Sequence, residues 1–556
     1  MDDTLPDLAA VESALELGSG LLRGAAARLA ALTDGGKSLD EEQVFAYDLA
    51  HAAAGLETAK AALAYGRLGV DEARIAVVFT ADVLGDLVAR TAGREATWGT
   101  EPGWHRDLGG FLTAGRSPAL IAEVADRPGP MHLNRDFEMV RDAFRRFATE
   151  QIAPLAEHIH RRNTDVPEEI IEGLAEMGGF GMSVPEEYGG AASGSGGDYL
   201  GMVVSTEELS RASLSAAGSL VTRPEILTRA LVKGGTEDQK RQLLPKIASG
   251  ELMVSVAVTE PDFGSDAASV STTAARDPGG GWVLNGVKTW CTFAARADVL
   301  MLLARTDADR TKGHRGLSVF VVPKPRGEGA GFLFAQGGEA DRAGESDKSG
   351  GTGRPAALPA GRLEGRPIDT IGYRGMHSYE LAFENWWVPD DALVGGEEGE
   401  GRGFYLQMQG FENGRLQTAA RAIGVMQAAY EAALEYSRNR KVFGRAILDY
   451  ELTRTKLGRM AAMIQASRQF AYRVAATMAG GEGSLEASMV KAYVCRAAEW
   501  VTREAMQLHG GMGYAEEVAV SRYFVDARVL SIFEGADEIL CLKVIARRLV
   551  EEAAAR

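Results

Sequence analysis

The sequence holds few of the residues from which disulfide frameworks and metal centres are built. Only three of its 556 residues are cysteine, at positions 291, 495 and 541, and they form no CxxC pair and no zinc spacing. The eight histidines are scattered, and His51, inside an alanine-rich helical segment, is interpreted as a packing residue rather than a ligand. We therefore expect no disulfides, no bound metal and a reducing compartment.

The sequence also has no net positive charge and no long apolar runs. The formal net charge is −17, and no basic stripe stands out that could neutralise a phosphate backbone. No apolar run reaches the roughly 18 residues that a membrane helix needs, and the opening MDDTLPDLAA lacks the basic start and apolar core of a signal peptide. We expect no nucleic acid partner, no membrane span and a cytoplasmic protein.

Two common nucleotide-binding patterns are missing as well. No GxGxxG segment follows a predicted strand, and no GxxxxGK[ST] segment occurs. A Rossmann dinucleotide domain and a P-loop are therefore both poorly supported.

The chain does contain enough apolar material for several cores, since 46% of its residues are hydrophobic. This amount predicts three or four domains. Residues 1–130 are alanine-rich, and six apolar positions from Phe45 to Leu63 follow the helical period, which predicts an N-terminal helical extension. A loop rich in Trp, Pro and Gly ends it. Residues 131–254 are again predicted to be helical, with Thr236 as an N-cap.

Between residues 255 and 394 the pattern changes to strands. DVLMLLART and LSVFVV are typical of strands, and Asn285-Gly286 within WVLNGVK predicts a hairpin turn. Residues 326–366, rich in Gly, Ser, Pro and mixed charges, are predicted to form a mobile surface insertion in this β middle domain. Residues 395–556 are helical, with a long apolar seam from Leu457 to Met478 that is typical of an antiparallel bundle.

Three segments carry groups suited to ligand binding. In SVAVTEPDFGSD, residues 255–266, a strand runs into a turn that offers a hydroxyl and backbone N–H groups, although an ordinary capped turn would look the same. In KTWCTFAARAD, residues 288–298, Trp290 and Thr292 are predicted to share one strand face, where the indole could cover an aromatic cofactor or fill an ordinary core. In QLHGGMGY, residues 507–514, paired glycines end a helix.

The segment LSIFEGADEI, residues 530–539, places the Glu534 carboxylate between an apolar run and a glycine just before a helix. A carboxylate that loses water there must find a partner or change its pKa. The alternative interpretation is an acid favoured by the helix dipole.

Seven ordered segments together resemble the acyl-CoA dehydrogenase family over residues 131–556. They are TEP..GSD, NGVKTWCT, IGYRGMHSYELAFENWWVP, FENGR, RKVFG, QLHGGMGY and FEGADEI. The resemblance implies a mainly α fold with a β middle domain: a helical domain, a β-barrel-like domain and a C-terminal four-helix bundle, here preceded by the N-terminal extension. It also implies an enzyme that binds FAD without a Rossmann motif, dehydrogenates an acyl-CoA thioester, passes electrons to electron-transfer flavoprotein and forms a homodimer or homotetramer.

The resemblance assigns roles to individual residues. Those expected to hold the flavin ring are Val258, Thr259, Gly264, Ser265, Trp290 and Thr292. Those expected to hold the ADP half of FAD across a subunit interface are Arg440, Phe443, Gln507, Gly510 and Gly511. Those expected to contact substrate are Ser265, Glu412, Arg415 and Gly535. An arginine suits the ADP site because its fork pairs with pyrophosphate oxygens.

By the same resemblance Glu534 is the catalytic base. The α-proton of a thioester is weakly acidic, so its removal needs a positioned carboxylate made more basic by desolvation, and Phe533 is expected to supply the dry surface. Some relatives take the base from the helix of FENGR, but that slot is Gly414 here. Ala536 stands where the family usually has Thr, a residue that can contact FAD.

Further segments, among them SLVTRPEILTRALVKGG, resemble a subgroup that acts on a short branched dicarboxylic acyl-CoA. A free carboxylate in a largely apolar pocket must meet a cation or strong donors. Arg223 is the candidate, with His377 and Tyr379 as weaker ones, and the competing interpretation of Arg223 is a surface or interhelix ion pair. Relatives that act on glutaryl-CoA use an arginine where this chain has Ala217, so decarboxylation is not expected.

Three other functions stay open at this stage. The chain could be a short- or branched-chain monocarboxylic acyl-CoA dehydrogenase, or an acyl-CoA oxidase. From a different class, it could be a flavin-binding assembly protein without activity, against which Glu534 argues.

Overall fold

The computed structural model describes residues 6–194, 197–337, 354–355 and 358–555. The chain forms two compact units that do not follow its linear order. The first unit combines Met1–Arg146, Tyr199–Ala212 and Arg415–Arg556, and the second combines Phe147–Asp198 and Ser213–Gly414. Helices build the first unit, and the second contains an eight-stranded sheet with further helices. The predicted fold class, mainly α with a β middle, is confirmed.

The N-terminal extension is helical, as its alanine-rich pattern predicts. Its helices, with the one that follows it, are α1 (Leu8–Leu32), α2 (Gln43–Gly66), α3 (Val70–Thr91), α4 (Glu95–Trp98), α5 (Gly109–Gly115), α6 (Pro118–Asp126) and α7 (Arg135–Phe147). Helix α1 begins where the Asp7 carboxylate accepts hydrogen bonds from the N–H groups of Ala9 and Ala10. All six periodic positions of α2, from Phe45 to Leu63, are buried.

Short helices flank the sheet of the second unit. They are α8 (Ala153–Arg162), α9 (Glu168–Glu176), α11 (Thr222–Gly234) and α12 (Glu237–Ala248), while α10 (Gly197–Ala212) contributes Tyr199–Ala212 to the first unit. The predicted N-cap is confirmed, since the Thr236 hydroxyl accepts the Gln239 N–H and the Gln239 side chain accepts the Thr236 N–H in return. This capping box fixes the start of α12.

The sheet is mostly antiparallel, in the order β1-β4-β2-β3-β8-β7-β6, with β5 paired to β4. Its strands are β1 (Val254–Ala257), β2 (Thr273–Arg276), β3 (Trp282–Thr292), β4 (Val299–Arg305), β5 (Leu317–Pro323), β6 (Phe332–Gln336), β7 (Gly361–Ile368) and β8 (Ser378–Val388). All seven residues of β4 are buried. The continuous apolar run that predicted this strand therefore reports burial on both faces.

The predicted hairpin turn at Asn285-Gly286 is wrong. Strand β3 continues through both residues, and the β2–β3 hairpin turns instead at residues 277–281, where the Asp277 N–H donates to the Gly281 carbonyl at 3.0 Å. Gly286 has φ 142°, and a Cβ there would lie 2.7 Å from the Thr272 hydroxyl. The glycine serves a close approach at a register shift between β3 and β8 rather than a turn.

The predicted insertion at 326–366 is too long. Strands β6 and β7 occupy both of its ends and pair with each other from Phe332↔Gly365 to Gln336↔Gly361. Residues 338–353, 356 and 357, which form most of its middle, lie outside the described residues.

The C-terminal part of the first unit is a set of long helices. They are α13 (Gly403–Asn439, of which Arg415 onward belongs to this unit), α14 (Glu451–Ala479), α15 (Ser484–Leu508), α16 (Ala519–Leu530), α17 (Asp537–Ile539) and α18 (Arg547–Ala554), with a small ladder of β9 (Lys441–Val442) and β10 (Arg445–Ala446). The predicted seam of α14 is buried from Leu457 to Val474. Helix α14 also contacts the extension, because the Arg473 guanidinium donates to the Glu57 carboxylate at 2.9 Å.

Across the part of the chain that the structure describes, no helix is both long enough and apolar enough to cross a membrane.

Candidate active site

In the second unit, the residues that follow β1 are fixed against β3. The Val258 carbonyl accepts a hydrogen bond from the Lys288 ammonium at 2.9 Å, and the Thr259 carbonyl accepts one from the Thr289 N–H at 2.9 Å. Two segments that sequence analysis assigned to the flavin therefore lie side by side.

A buried ion pair links the same two segments. Glu260 and Lys288 are almost fully buried, and their charged atoms lie 2.9 Å apart. The Glu260 carboxylate also accepts hydrogen bonds from Ser271 and from the Thr272 N–H. Burial alone would raise the pKa of this carboxyl, but Lys288 and these hydrogen bonds lower it to about 2. Sequence analysis missed the pair because 28 residues separate its members.

The turn after Glu260 presents the next candidates to solvent. Glu260 and Phe263 exchange backbone hydrogen bonds of 3.0 and 3.1 Å, and Gly264 and Ser265 follow, both exposed. A Cβ added to Gly264 would meet only the Thr259 methyl group, at 3.9 Å. The backbone is thus open for a bound group to approach.

Trp290 is 55% exposed, so the interpretation as an ordinary core tryptophan is wrong. Its φ of 58° is rare for a bulky aromatic residue and marks a strained position. The pairing of β3 with β8 shifts between Lys288 and Cys291, so the regular alternation behind the prediction of a shared face does not apply. Thr292 is instead buried, with its hydroxyl 3.2 Å from that of Ser378.

Arg223, on the first turn of α11, is buried, so the interpretation as a surface ion pair is wrong, while an ion pair between helices stays an open alternative. Its guanidinium donates to the Tyr373 hydroxyl at 3.1 Å. Burial raises the pKa of the nearby Cys291 thiol to about 12, and the positive charge of Arg223 acts in the opposite direction. The second unit therefore contains a buried guanidinium next to the Tyr373 hydroxyl.

The two weaker candidates for a substrate carboxylate have other partners. The His377 ring lies 3.1 Å from the Asp165 carboxylate, and the Tyr379 hydroxyl donates to the Gly329 carbonyl at 3.1 Å. Both side chains are thus engaged within the protein.

In the first unit, the loop from Ser531 to Asp537 carries Glu534. Glu534 has φ 54° and Gly535 has φ 96°, two consecutive residues in the left-handed region. The loop is closed by a hydrogen bond from the Asp537 N–H to the Ser531 carbonyl at 3.1 Å. A non-glycine residue persists in this conformation only when its surroundings hold it, and such positions cluster at functional sites.

Lys491 of α15 is part of those surroundings. It is almost fully buried, and its ammonium donates to the Gly535 carbonyl. Burial lowers the pKa of Lys491 to about 8, while the negative charge of nearby Glu534 acts in the opposite direction. The Ser531 hydroxyl donates to Glu499 of the same helix. Sequence analysis did not identify either contact, since α15 shows only a helical period there.

The surroundings of Phe533 are more polar than expected. The Arg421 guanidinium lies over the Phe533 ring, 4.7 Å from its centroid, and Arg421 is fully buried. One face of the ring therefore contacts a cation rather than forming only a dry surface. Arg415, assigned to the substrate, donates to the Ser488 hydroxyl at 3.1 Å, and Glu412, earlier on α13, is half-buried.

The residues assigned to the ADP half of FAD lie at two adjoining exposed ends. Arg440 immediately precedes β9, and Phe443, which is 98% exposed, lies between β9 and β10. Gln507 lies in the last turn of α15, Gly510 and Gly511 follow the helix, and all three are exposed. The Tyr436 and His509 rings stack at 4.3 Å and bring these ends together.

Three models of one protein family match the chain in order. They are the acyl-CoA dehydrogenase N-terminal domain at residues 134–251, the middle domain at 255–339 and the C-terminal domain at 401–550. The chain belongs to the acyl-CoA dehydrogenase family. The family and the names of its relatives identify the chain as an FAD-dependent oxidoreductase of the acyl-CoA dehydrogenase class. The recognition made from the seven segments is confirmed.

The similarity to individual members differs in extent. (2S)-methylsuccinyl-CoA dehydrogenase of Cereibacter sphaeroides is 40% identical over 550 residues, which cover 93% of this chain and 93% of that protein. The mitochondrial 2-methylacyl-CoA dehydrogenase of Solanum tuberosum is 36% identical and covers 74% of this chain and 89% of its own length. The solved butyryl-CoA dehydrogenase of Megasphaera elsdenii is 27% identical with a TM-score of 0.65, covering 77% of this chain and all of its own. Of these three alignments, only the first covers enough of the chain to include most of residues 1–130 in addition to residues 131–556.

Proposed function

We propose that this acyl-CoA dehydrogenase oxidises a short branched dicarboxylic acyl-CoA, (2S)-methylsuccinyl-CoA, to mesaconyl-CoA. The observation that carries the proposal is the buried Arg223 guanidinium, which can pair with the free carboxylate of such a substrate. The 40% identity to the Cereibacter sphaeroides enzyme over nearly the whole chain supports the same substrate. Oxidation of this thioester would place the enzyme in the ethylmalonyl-CoA pathway.

We propose FAD as the cofactor. A flat ring could stack on the exposed indole of Trp290 and approach the open backbone at Gly264. The other residues assigned to the flavin lie in the same two fixed segments: Val258, Thr259, Ser265 and Thr292. Once bound, FAD accepts the hydride that leaves the β-carbon of the acyl group.

The exposed ends around Phe443 and Gly510 suit a cofactor tail, because Arg440 can pair with pyrophosphate oxygens and the glycines allow close approach of the backbone. We propose that a second copy of the chain covers the almost fully exposed Phe443 in a homodimer or homotetramer.

Glu534 is the base of this proposal. Its carboxylate takes the α-proton of the thioester, and the two left-handed residues of its loop, fixed through Gly535 by Lys491, hold the carboxylate in one place. The Glu534 N–H is oriented by the same constraints and can donate to the thioester oxygen as negative charge develops there. Glu412 and Arg415 of α13 would contact the CoA arm.

The further partners follow from this chemistry. Electron-transfer flavoprotein is proposed as the electron acceptor, and the reducing environment suggested by three buried free thiols fits the cytoplasm.

Turnover across four thioesters tests the substrate. The panel is methylsuccinyl-, butyryl-, isovaleryl- and glutaryl-CoA, assayed by flavin bleaching without oxygen. Methylsuccinyl-CoA should give the highest kcat/KM. Bleaching by butyryl-CoA alone would contradict the dicarboxylate assignment, and rapid peroxide formation under air would favour an acyl-CoA oxidase.

Two substitutions test the residues. Glu534→Gln keeps the shape of the side chain but cannot accept a proton, so turnover should be lost while flavin stays bound. Full turnover of this variant would refute the assignment of Glu534 as the base. Arg223→Met should lower kcat/KM for methylsuccinyl-CoA by about 100-fold or more, since a buried charge would lose its partner, and leave butyryl-CoA turnover largely intact. Arg229→Met, on the same helix, is the matched control and should show no such selectivity.

A further inference from the structure

The loop that carries Glu534 is held by more than the two α15 side chains already described. Its last residue, Asp537, is buried and begins α17. The Tyr47 hydroxyl donates to Asp537 Oδ2 at 2.6 Å, and His51 Nε2 lies 3.0 Å from the same oxygen. Both of these residues belong to α2, in the N-terminal extension. The extension thus contacts the chain three residues after Glu534.

The contacts have the chemistry of charge-assisted hydrogen bonds. Burial alone would raise the pKa of Asp537, but the hydrogen bonds from His51 and Tyr47 lower it, which keeps the group a carboxylate. Burial lowers the pKa of His51, so the ring is neutral and donates through Nε2. Burial also raises the pKa of the Tyr47 phenol, which stays a donor. A buried carboxylate with two such donors is firmly placed.

Cys541 completes the cluster, with its sulfur 3.4 Å from His51 Nε2. The donor atoms of His51, Asp537 and Cys541 lie within 4.8 Å of one another, a spacing that a divalent cation could also use. Burial raises the pKa of the Cys541 thiol, so the sulfur carries no charge in the hydrogen-bonded arrangement. A bound metal would instead require the thiolate, and metal analysis of the purified protein distinguishes the two arrangements.

We propose that Tyr47 and His51 are positioning residues for Glu534, and that the N-terminal extension serves catalysis by fixing Asp537 and with it the strained loop that presents the base. This inference rests on the proposed role of Glu534. It gives residues of the extension a function that their helical pattern does not reveal.

Single substitutions in α2 should change the chemical step more than substrate binding. Without one donor, Asp537 and the loop end gain freedom, and a displacement of about 1 Å at a reacting group can cost up to about 100-fold in rate. We expect Tyr47→Phe, which removes one oxygen atom, to lower kcat about tenfold and to leave KM within about twofold.

His51 allows a rescue experiment. His51→Leu removes the donor and should lower kcat at least as much as Tyr47→Phe, whereas His51→Gln places an amide N–H near the position of Nε2 and should restore most of the rate. Asp40→Asn is the matched control, because it breaks an exposed ion pair between the extension and Lys543 without touching Asp537. Its kcat should equal that of the wild type.

The assay uses the full-length protein and whichever thioester of the panel is turned over fastest, with hydrogen or deuterium at the α-carbon. If the base is misplaced, proton removal becomes slower, so the α-deuterium isotope effect on kcat should rise in Tyr47→Phe and His51→Leu and return towards the wild-type value in His51→Gln. Melting temperature and bound flavin are measured on the same samples to separate loss of fold from loss of position.

Three outcomes would overturn the inference. Tyr47→Phe and His51→Leu could melt at a lower temperature but keep the wild-type kcat and isotope effect. His51→Gln could have a kcat no higher than that of His51→Leu, or the purified wild-type protein could contain one zinc ion per chain. Glu534→Gln separates this failure from failure of the proposed function. If that variant is inactive while Tyr47→Phe is unchanged, only the role of the extension is wrong; if Glu534→Gln is fully active, the base assignment is wrong.

Discussion

Replacing Lys288 by methionine would test how the two flavin-binding segments of the second unit are held together. Lys288→Met keeps most of the side-chain volume but leaves the buried Glu260 carboxylate without its cation. The Glu260 pKa of about 2, against a usual 4.5, corresponds to about 3 kcal/mol of stabilisation at pH 7, at about 1.36 kcal/mol per pKa unit. Breaking a buried pair from one side costs about 3–5 kcal/mol, which agrees with that figure.

The direction of the pH dependence follows from the same pKa. Because the Glu260 pKa is lower in the folded protein, its contribution to stability is complete above about 4.5 and is lost as the pH falls towards 2. In Lys288→Met only the hydrogen bonds from Ser271 and Thr272 still oppose burial, so the pKa of Glu260 should rise above its wild-type value. The loss of stability relative to the wild type should therefore be largest near pH 7 and smaller near pH 5.

Hydrogen exchange measures this effect locally, which matters because a chain with two compact units need not unfold in one step. Peptides covering residues 254–292 should exchange at least 100-fold faster in Lys288→Met at pH 7, the factor that about 3 kcal/mol implies. Lys288→Met/Glu260→Gln, with no buried charge, should recover more than half of the protection. An unchanged exchange rate in the single variant, or no recovery in the double variant, would refute the reasoning.

Two further predictions concern packing and thiol reactivity. Gly424→Ala should lower the melting temperature, because the added Cβ would lie 2.2 Å from the Glu207 carbonyl oxygen, where α13 and α10 meet, and overpacking of this kind costs about 1–3 kcal/mol. Gly24→Ala has nothing within 4 Å of the added Cβ and should instead stabilise α1 by about 0.5–1 kcal/mol. Equal melting temperatures of the two variants would contradict this account. Cys291, Cys495 and Cys541 are buried, and burial raises the pKa of each thiol, so a thiol reagent at pH 8 should label none of them in the folded protein and all three after denaturation; rapid labelling of the native protein would show that one of them is accessible.

Local patterns allowed most of the elements to be predicted. Helical period, the Thr236 cap and the buried run of β4 are properties of a few neighbouring residues, so they could be identified without knowledge of the rest of the chain. The turn predicted at Asn285-Gly286 was wrong for the same reason. The local preference of this dipeptide for a turn was overridden by the close approach of Thr272, which the neighbouring residues in the sequence do not indicate.

Individual residues of the candidate site could be proposed from the sequence, because each was matched to a position in the family. Pairs of residues that contact each other across the site could not be predicted. Glu260 with Lys288, Tyr436 with His509, and His51 with Asp537 are separated by 28, 73 and 486 residues. Nothing in a single sequence relates such positions. The roles assigned to the matched residues, and the domain boundaries after residues 130, 254 and 394, stay predictions.

The interleaved order of the chain has a consequence for its synthesis. Helices α2 and α3 end about 350 and 325 residues before Arg415, where the C-terminal stretch that completes their unit begins. At about 5–20 residues per second this interval is roughly 15–70 s. During that time the alanine-rich surfaces of α2 lack their later neighbours. A nascent chain stalled or truncated before α14 is translated should therefore be a strong client for chaperones, whereas the finished chain should need them little.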